Sequence, residues 1–188
     1  MSDDEAGAAS AIVLDYLAHG RSDGSGPVFD QEPVAHALGV SSFRLYELIL
    51  EPDSGVSIGD ELVVRPPELP VTEFRELTFD DLSQGARSEL EYVLGELIEA
   101  DEERFISVFN EAQPITLRLH QLNLLPGIGN KLRDQILDER KRNPFDGFDD
   151  LADRIGGLHD PKRILKDRIK AELRDEDVKY SLFVGGPY

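Results

Sequence analysis

Apolar and polar positions change their period along this chain. From Ala11 to Pro67 the apolar residues fall in short runs broken by turn-forming residues, a strand pattern. From Glu68 onward they recur at three- and four-residue spacing, a helix pattern. Ala11-Ile-Val-Leu-Asp-Tyr-Leu17 predicts a strand ending at His19-Gly20. Phe43–Leu50 predicts a strand apolar on both sides, and Glu61–Val64 the last strand before Pro66-Pro67. Pro33–Leu38 reads as a short helical turn closed by Gly39, Arg21–Pro27 as a flexible loop, and Glu51–Gly55 as a turn. Short strands at these intervals suggest a small five-stranded barrel of the oligonucleotide-binding (OB) type.

Glu68–Gln113 reads as helical. Thr78 and Asp81 have capping-box spacing. Leu90, Val93, Leu94, Leu97 and Ile98 form one apolar stripe; Phe105, Ile106, Val108 and Phe109 form a second, beyond an acidic break at Glu99–Glu103. Two connecting helices follow from this.

The most informative stretch is Leu125-Pro-Gly-Ile-Gly129, lying between two amphipathic patterns. Pro114 suits the start of a first helix, with Leu117, Leu119, Leu122, Leu124 and Leu125 as its apolar side. Leu132, Ile136 and Leu137 give the second helix an inward face, and Asn143-Pro144 stops it. The loop between them has the form of a helix-hairpin-helix turn. Gly127 and Gly129 can take positive φ and leave no Cβ beside a ligand; Ile128 can plug back between the helices. A helix opening at Asn130 or Lys131 would turn unpaired N–H groups outward, a ready anion site. The natural anion is a nucleic-acid phosphate, read as backbone rather than base sequence.

Phe145, Phe148 and Leu151 anchor a further helix. Ile155-Gly-Gly-Leu-His-Asp-Pro161 then reads as a second, degenerate hairpin, with His159 where the first copy has Gly129. Asp160 as N-cap and Pro161 at the first position make a good helix start, but Asp160 would repel a phosphate. Val178–Val184 reads as a strand-like tail. The expected class is therefore α+β: an acidic disordered tail at 1–10, an OB-like barrel at 11–67, a helical connector at 68–113, an all-α tandem helix-hairpin-helix domain at 114–174, and a C-terminal tail at 175–188.

Charge complicates this picture. The 188 residues carry a net charge of −18, unusual for a nucleic-acid binder. Residues 121–174, however, hold 12 Lys+Arg against 10 Asp+Glu, and five of the six lysines. An acidic surface relieved over the hairpins, with Arg favoured over Lys, fits a high-salt cytoplasm. At 1 M salt the Debye length is about 3 Å, so long-range attraction to phosphate is largely lost. Short-range bonds from oriented N–H groups survive. The chain has no cysteine, which excludes disulfides and thiolate metal sites. It has no apolar run of membrane length and no signal-peptide pattern. His19 and His36 have no metal-ligand spacing, and no cofactor or metal is expected.

Three segments together carry a family resemblance: Ile12–Leu17; Asn110-Glu-Ala-Gln-Pro-Ile-Thr116 with Arg118-Leu-His120; and Leu124–Gly129 followed by Pro144-Phe145. In these the chain resembles an archaeal family, number 655 in the domain-of-unknown-function series. The resemblance covers nearly the whole chain. It implies an OB-like N-terminal domain joined to tandem helix-hairpin-helix motifs in an RNA-binding protein. Family members tend to carry Lys directly after the second hairpin glycine, where this chain has Asn130.

The expected function is non-catalytic nucleic-acid binding in the cytoplasm, to RNA in preference to DNA, with a role in translation or RNA processing. Gly127, Ile128, Gly129, Asn130 and Lys131 form the expected phosphate site; Arg133, Lys141, Lys162 and Lys166 are flanking contacts. Arg44, Tyr46 and Arg65 are the residues a nucleic-acid face on the barrel would use. The alternative is an adaptor docking ribosomal or transcription proteins. A nuclease is the weakest reading, because no carboxylate cluster has metal-binding spacing. No membrane and no small-molecule substrate enter any of these readings.

Overall fold

The computed structural model describes residues 9–20, 32–174 and 178–188. It is a mixed α and β chain with a curled five-stranded antiparallel half-barrel sheet and five helices. The chain divides into two compact units between Val93 and Leu94, inside the first long helix. Most of the predicted acidic tail (residues 1–8), the loop expected at Arg21–Pro27, and residues 175–177 lie outside the described residues.

In the first unit the strands are β1 (Ala9–Leu17), β2 (Val34–Gly39), β3 (Leu45–Leu50), β4 (Glu61–Arg65) and β5 (Val71–Leu77), in the order β4-β1-β2-β3-β5. β1 starts at Ala9, within the stretch expected as a tail, because Ser10 pairs with Val63 of β4. Val34–Gly39 is a strand, not the expected helical turn. All six residues are buried between β1 and β3, and such a two-sided apolar run has no alternation to mark it. Phe43, expected to open a strand, sits at φ 53° in the β2–β3 turn with its ring buried.

β5 corrects the reading of residues 68–113 as helical throughout. It is an edge strand, paired only with β3, and its Glu73, Arg75 and Glu76 side chains are exposed. Charge on an edge discourages further pairing, and it hid the strand from a pattern search. A polar row crosses the sheet here: His36 faces Glu47, which faces Arg75, and Arg75 Nε donates to buried Glu47 Oε1 at 2.7 Å. Tyr46 belongs to the core, edge-on to Phe74, while Arg65 lies over the Phe74 ring and Arg44 pairs with Glu76. All three candidate barrel-face residues are thus engaged within the sheet.

A bulge in β1 between Val13 and Asp15 brings Asp15 to Ser83, whose hydroxyl donates to Asp15 Oδ2 at 2.5 Å and accepts from Ala86 N at 3.0 Å. That bond caps helix α1 (Gln84–Ala100). Thr78 and Asp81 do form the capping box, on a 3-10 turn at Phe79–Asp81.

The second unit holds the end of α1 with α2 (Glu102–Glu111), α3 (Asn130–Arg142), α4 (Phe148–Arg154) and α5 (Pro161–Leu173). The predicted stripe Phe105, Ile106, Val108 and Phe109 is buried on α2. Two helix C-termini in this unit are closed by arginines. Arg140 donates to the Phe109 and Ala112 carbonyls at the end of α2 (3.1 and 2.9 Å), and Arg154 to the Glu139 and Asn143 carbonyls at the end of α3 (2.9 and 2.7 Å).

The tail does not form the expected strand. The N–H groups of Leu182, Phe183 and Val184 converge on the single buried carboxylate of Glu172, at 2.8, 2.9 and 2.9 Å. Convergent donors cannot sit in a ladder, where successive N–H groups point to opposite sides. Arg168 Nε pairs with Glu172 at 2.7 Å; its Nη atoms bind the Leu124 carbonyl, at 3.2 Å, and the Tyr180 carbonyl. One pair on α5 therefore fastens both the tail and the segment ahead of the glycine loop.

Glu172→Ala should destabilise the protein by about 3–5 kcal/mol, since it strands a buried guanidinium and three tail N–H groups. Equilibrium urea unfolding measures this. A loss under about 1 kcal/mol would mean the pair is dispensable.

Candidate functional site

The glycine loop is built from both sides. Ahead of it the expected long helix is absent. Gln113 and Gln121 instead close a small loop: Gln121 N donates to Gln113 O at 3.0 Å, and Pro114 bridges His120. Thr116 Oγ1 accepts from Arg118 N and Leu119 N at 3.2 and 3.0 Å, so the backbone turns here rather than coiling. Leu117 and Leu119 therefore do not form a helix face; Leu117 stands fully exposed. One 3-10 turn, Gln121–Leu124, leads into the glycine loop.

That turn is closed at both ends. His120 Nδ1 accepts from Leu122 N at 3.1 Å, and Asn123 Oδ1 accepts from His120 N at 3.3 Å. The Asn123 amide then donates to the Ile128 carbonyl at 3.2 Å. Ile128 N donates to Leu125 O at 3.1 Å, and both side chains are buried, so Ile128 turns inward, with a 3-10 turn where the first of its two expected helices would stand.

The two glycines differ in what they require. Gly127 sits at φ 80°, where an L side chain is strained. Gly129 is extended, at φ −80° and ψ −177°, and does not use the positive φ allowed for it. A Cβ at either would meet nothing within 4 Å, so the loop is open to solvent. Gly129 is thus a matter of access, not conformation.

Gly129 is also the N-cap of α3 and brings no side-chain acceptor to it. Its carbonyl accepts from Arg133 N at 3.0 Å, which leaves the N–H groups of Asn130, Lys131 and Leu132 without an acceptor among the described residues. The other helix starts in this unit are filled by the chain's own carboxylates. Asp101 accepts from Arg104 N on α2, Glu102 from Phe148 N on α4 at 2.5 Å, and Asp160 from Arg163 N on α5 at 3.0 Å. The loop at Ile155–Asp160 repeats this path, with Gly157 at φ 98° and Leu158 N donating to Ile155 O at 3.2 Å. Asp160 closes its helix start, as its sequence implied.

The flanking cations divide. Lys131 is exposed and pairs with no group among the described residues. Arg133 is mostly buried and braces the loop, donating to Asn123 Oδ1 and Asn130 Oδ1 at 3.2 and 3.1 Å and pairing with Asp134. Lys141 pairs with Asp138 at the far end of α3, Lys162 with Glu99, and Lys166 is half-buried and engaged. The structure thus leaves Gly127, Gly129, Asn130 and Lys131 exposed around a buried Ile128, with Arg133 bracing them, and places the other three lysines elsewhere. Asn123, which ties the 3-10 turn to the loop, carries no motif of its own; its only sequence signal is its spacing of three from His120.

Among the described residues no group of three or more His, Cys, Asp or Glu is placed to hold a metal, and no helix is long and apolar enough to cross a membrane.

Similarity to known proteins runs along nearly the whole chain. Residues 8–185 match the family described as "Protein of unknown function (DUF655)". An uncharacterized protein of Methanocaldococcus jannaschii, MJ0038, is 38% identical over 177 residues, which is 93% of this chain and 78% of that protein. The crystal structure of Af1531 from Archaeoglobus fulgidus has a TM-score of 0.84 at 35% identity, covering 93% of this chain and 98% of that one.

Burial first, then the charges of Arg140 and Arg133, hold His120 below the usual imidazole range. The unfolded chain therefore takes up this proton at higher pH than the folded one. The stability linked to His120 is complete above about pH 6.5 and is lost as pH falls below it. His120→Asn keeps a capping acceptor and removes the titration. Urea unfolding at neutral and mildly acidic pH should give this variant a smaller acid loss than the parent; equal losses would exclude His120 as the source.

Proposed function

We propose that this chain, which belongs to the DUF655 family, is a non-catalytic nucleic-acid-binding protein that grips phosphate at Gly127–Lys131. The observation that carries this reading is the start of α3, the one helix start in its unit, among the described residues, that no carboxylate fills. The glycine loop and its copy at Ile155–Asp160 are read as tandem helix-hairpin-helix motifs, and the curled sheet as OB-like in strand number and curvature. RNA in preference to DNA is taken from the family resemblance, since the loop itself addresses backbone.

The chemistry of the site suits a saline cytoplasm. Three N–H donors on a fixed helix start act at hydrogen-bond range, which screening barely touches. Lys131 adds one positive charge. Asn130, which stands where family members tend to carry Lys, gives its side-chain oxygen to Arg133 and leaves its own N–H outward. Arg133 and Asn123 act as positioning residues, keeping the loop in the shape that presents those donors.

Fluorescence anisotropy with a single-stranded RNA of about 20 nucleotides, and a DNA of the same sequence, tests this across a KCl series. Gly129→Val should weaken binding at least tenfold while costing up to about 1 kcal/mol in stability, because the backbone there is already extended. Lys131→Gln should lower the slope of log affinity against log salt by about 0.7. Unchanged affinity in Gly129→Val would refute the site.

A further inference from the structure

Next to this site stands a tip that no reading of the hairpin uses. Leu117 and Arg118 lie at the end of the Gln113–Gln121 loop, both exposed. A single exposed leucine is ordinary on a protein surface. This one is held rigidly outward. Ile115 N and Thr116 N both donate to Leu119 O, at 2.8 and 3.0 Å, and Thr116 Oγ1 takes the N–H groups of Arg118 and Leu119.

A second observation concerns charge. Among the described residues of the second unit, the lysines and arginines each engage another group, with two exceptions: Arg118 and Lys131. In a chain with 38 acidic residues, two basic side chains left unpaired stand out. They are also linked. The root of the tip, His120, donates to Asn123, and Asn123 donates to the Ile128 carbonyl of the hairpin. Leu117 lies only a few residues before His120, so the tip is within about 20 Å of that carbonyl, a few nucleotides along a bound strand.

We propose that the Thr116–Leu119 tip is a second nucleic-acid contact, with Arg118 taking a phosphate and Leu117 packing against an exposed base of the strand held at Gly127–Lys131. This rests on the phosphate-binding reading of the hairpin. It gives the protein a grip on two points of one strand. It also adds an apolar contact, which salt does not screen.

The full chain is tested by anisotropy with the same single-stranded RNA, alongside Gly129→Val. Arg118→Gln should weaken binding about 3–10-fold and lower the salt slope by about 0.7. Leu117→Ser should weaken it about 3–10-fold with the slope unchanged, and Leu117→Tyr should match or exceed the parent, because a ring stacks on a base. Thermal midpoints of the tip variants should stay at the parent value, since neither side chain is packed. If the tip variants bind like the parent while Gly129→Val is weak, the tip is not a contact and the hairpin reading stands. If tip variants are weak and Gly129→Val is normal, the tip contact stands and the hairpin site falls. A parent protein that binds neither RNA nor DNA overturns both.

Discussion

The second unit depends on a buried pair one helical turn apart on α5. Glu172 gathers three tail N–H groups and Arg168, and Arg168 reaches the carbonyls of Tyr180 and Leu124. Each donor replaces water that burial takes from the carboxylate, so its oxygens stay hydrogen-bonded. Leu124 leads directly into the glycine loop. The loop's shape is therefore set by the same ion pair that docks the tail, together with Asn123 and Arg133.

This arrangement separates fold from access. Residues that shape the loop are buried or half-buried, and bonded: Leu125, Ile128, Asn123 and Arg133. The side chains that face outward, Lys131, Leu117 and Arg118, are exposed, and Gly129 beside them adds only its backbone, as the N-cap of α3. The loop at Ile155–Asp160 has the same path but an aspartate at its helix start, and its Leu158 is buried. One loop path is used twice, once before an open helix start and once before a closed one.

Elements with a strong period were legible in the sequence. The stripes on α1 and α2, the loop at Leu125–Gly129 and its degenerate copy all carry their signal locally. The failures have definite causes. β2 is buried on both faces, which erases alternation. β5 is an edge strand whose charges imitate an exposed helix. The helix expected before the hairpin was undone by Thr116, whose hydroxyl captures two N–H groups that a helix would have used. The apolar run at Val178–Val184 imitates a strand, but the N–H groups of Leu182, Phe183 and Val184 are held by a carboxylate on a different element. In the loop, the glycines and Lys131 carry a local signal; the bond from Asn123 to the Ile128 carbonyl and the bracing by Arg133 come from the folded loop.

The arginines that bind backbone carbonyls bear on how composition should be interpreted. Arg140 and Arg168 each spread one planar guanidinium across two carbonyl oxygens, and Arg154 reaches three, with more donors in a fixed plane than an ammonium group offers. A bias toward arginine in this chain is then partly architectural and need not report salinity at all. Those three positive charges point inward at backbone oxygen, so a passing polyanion meets a more negative surface over residues 121–174 than residue counting implies.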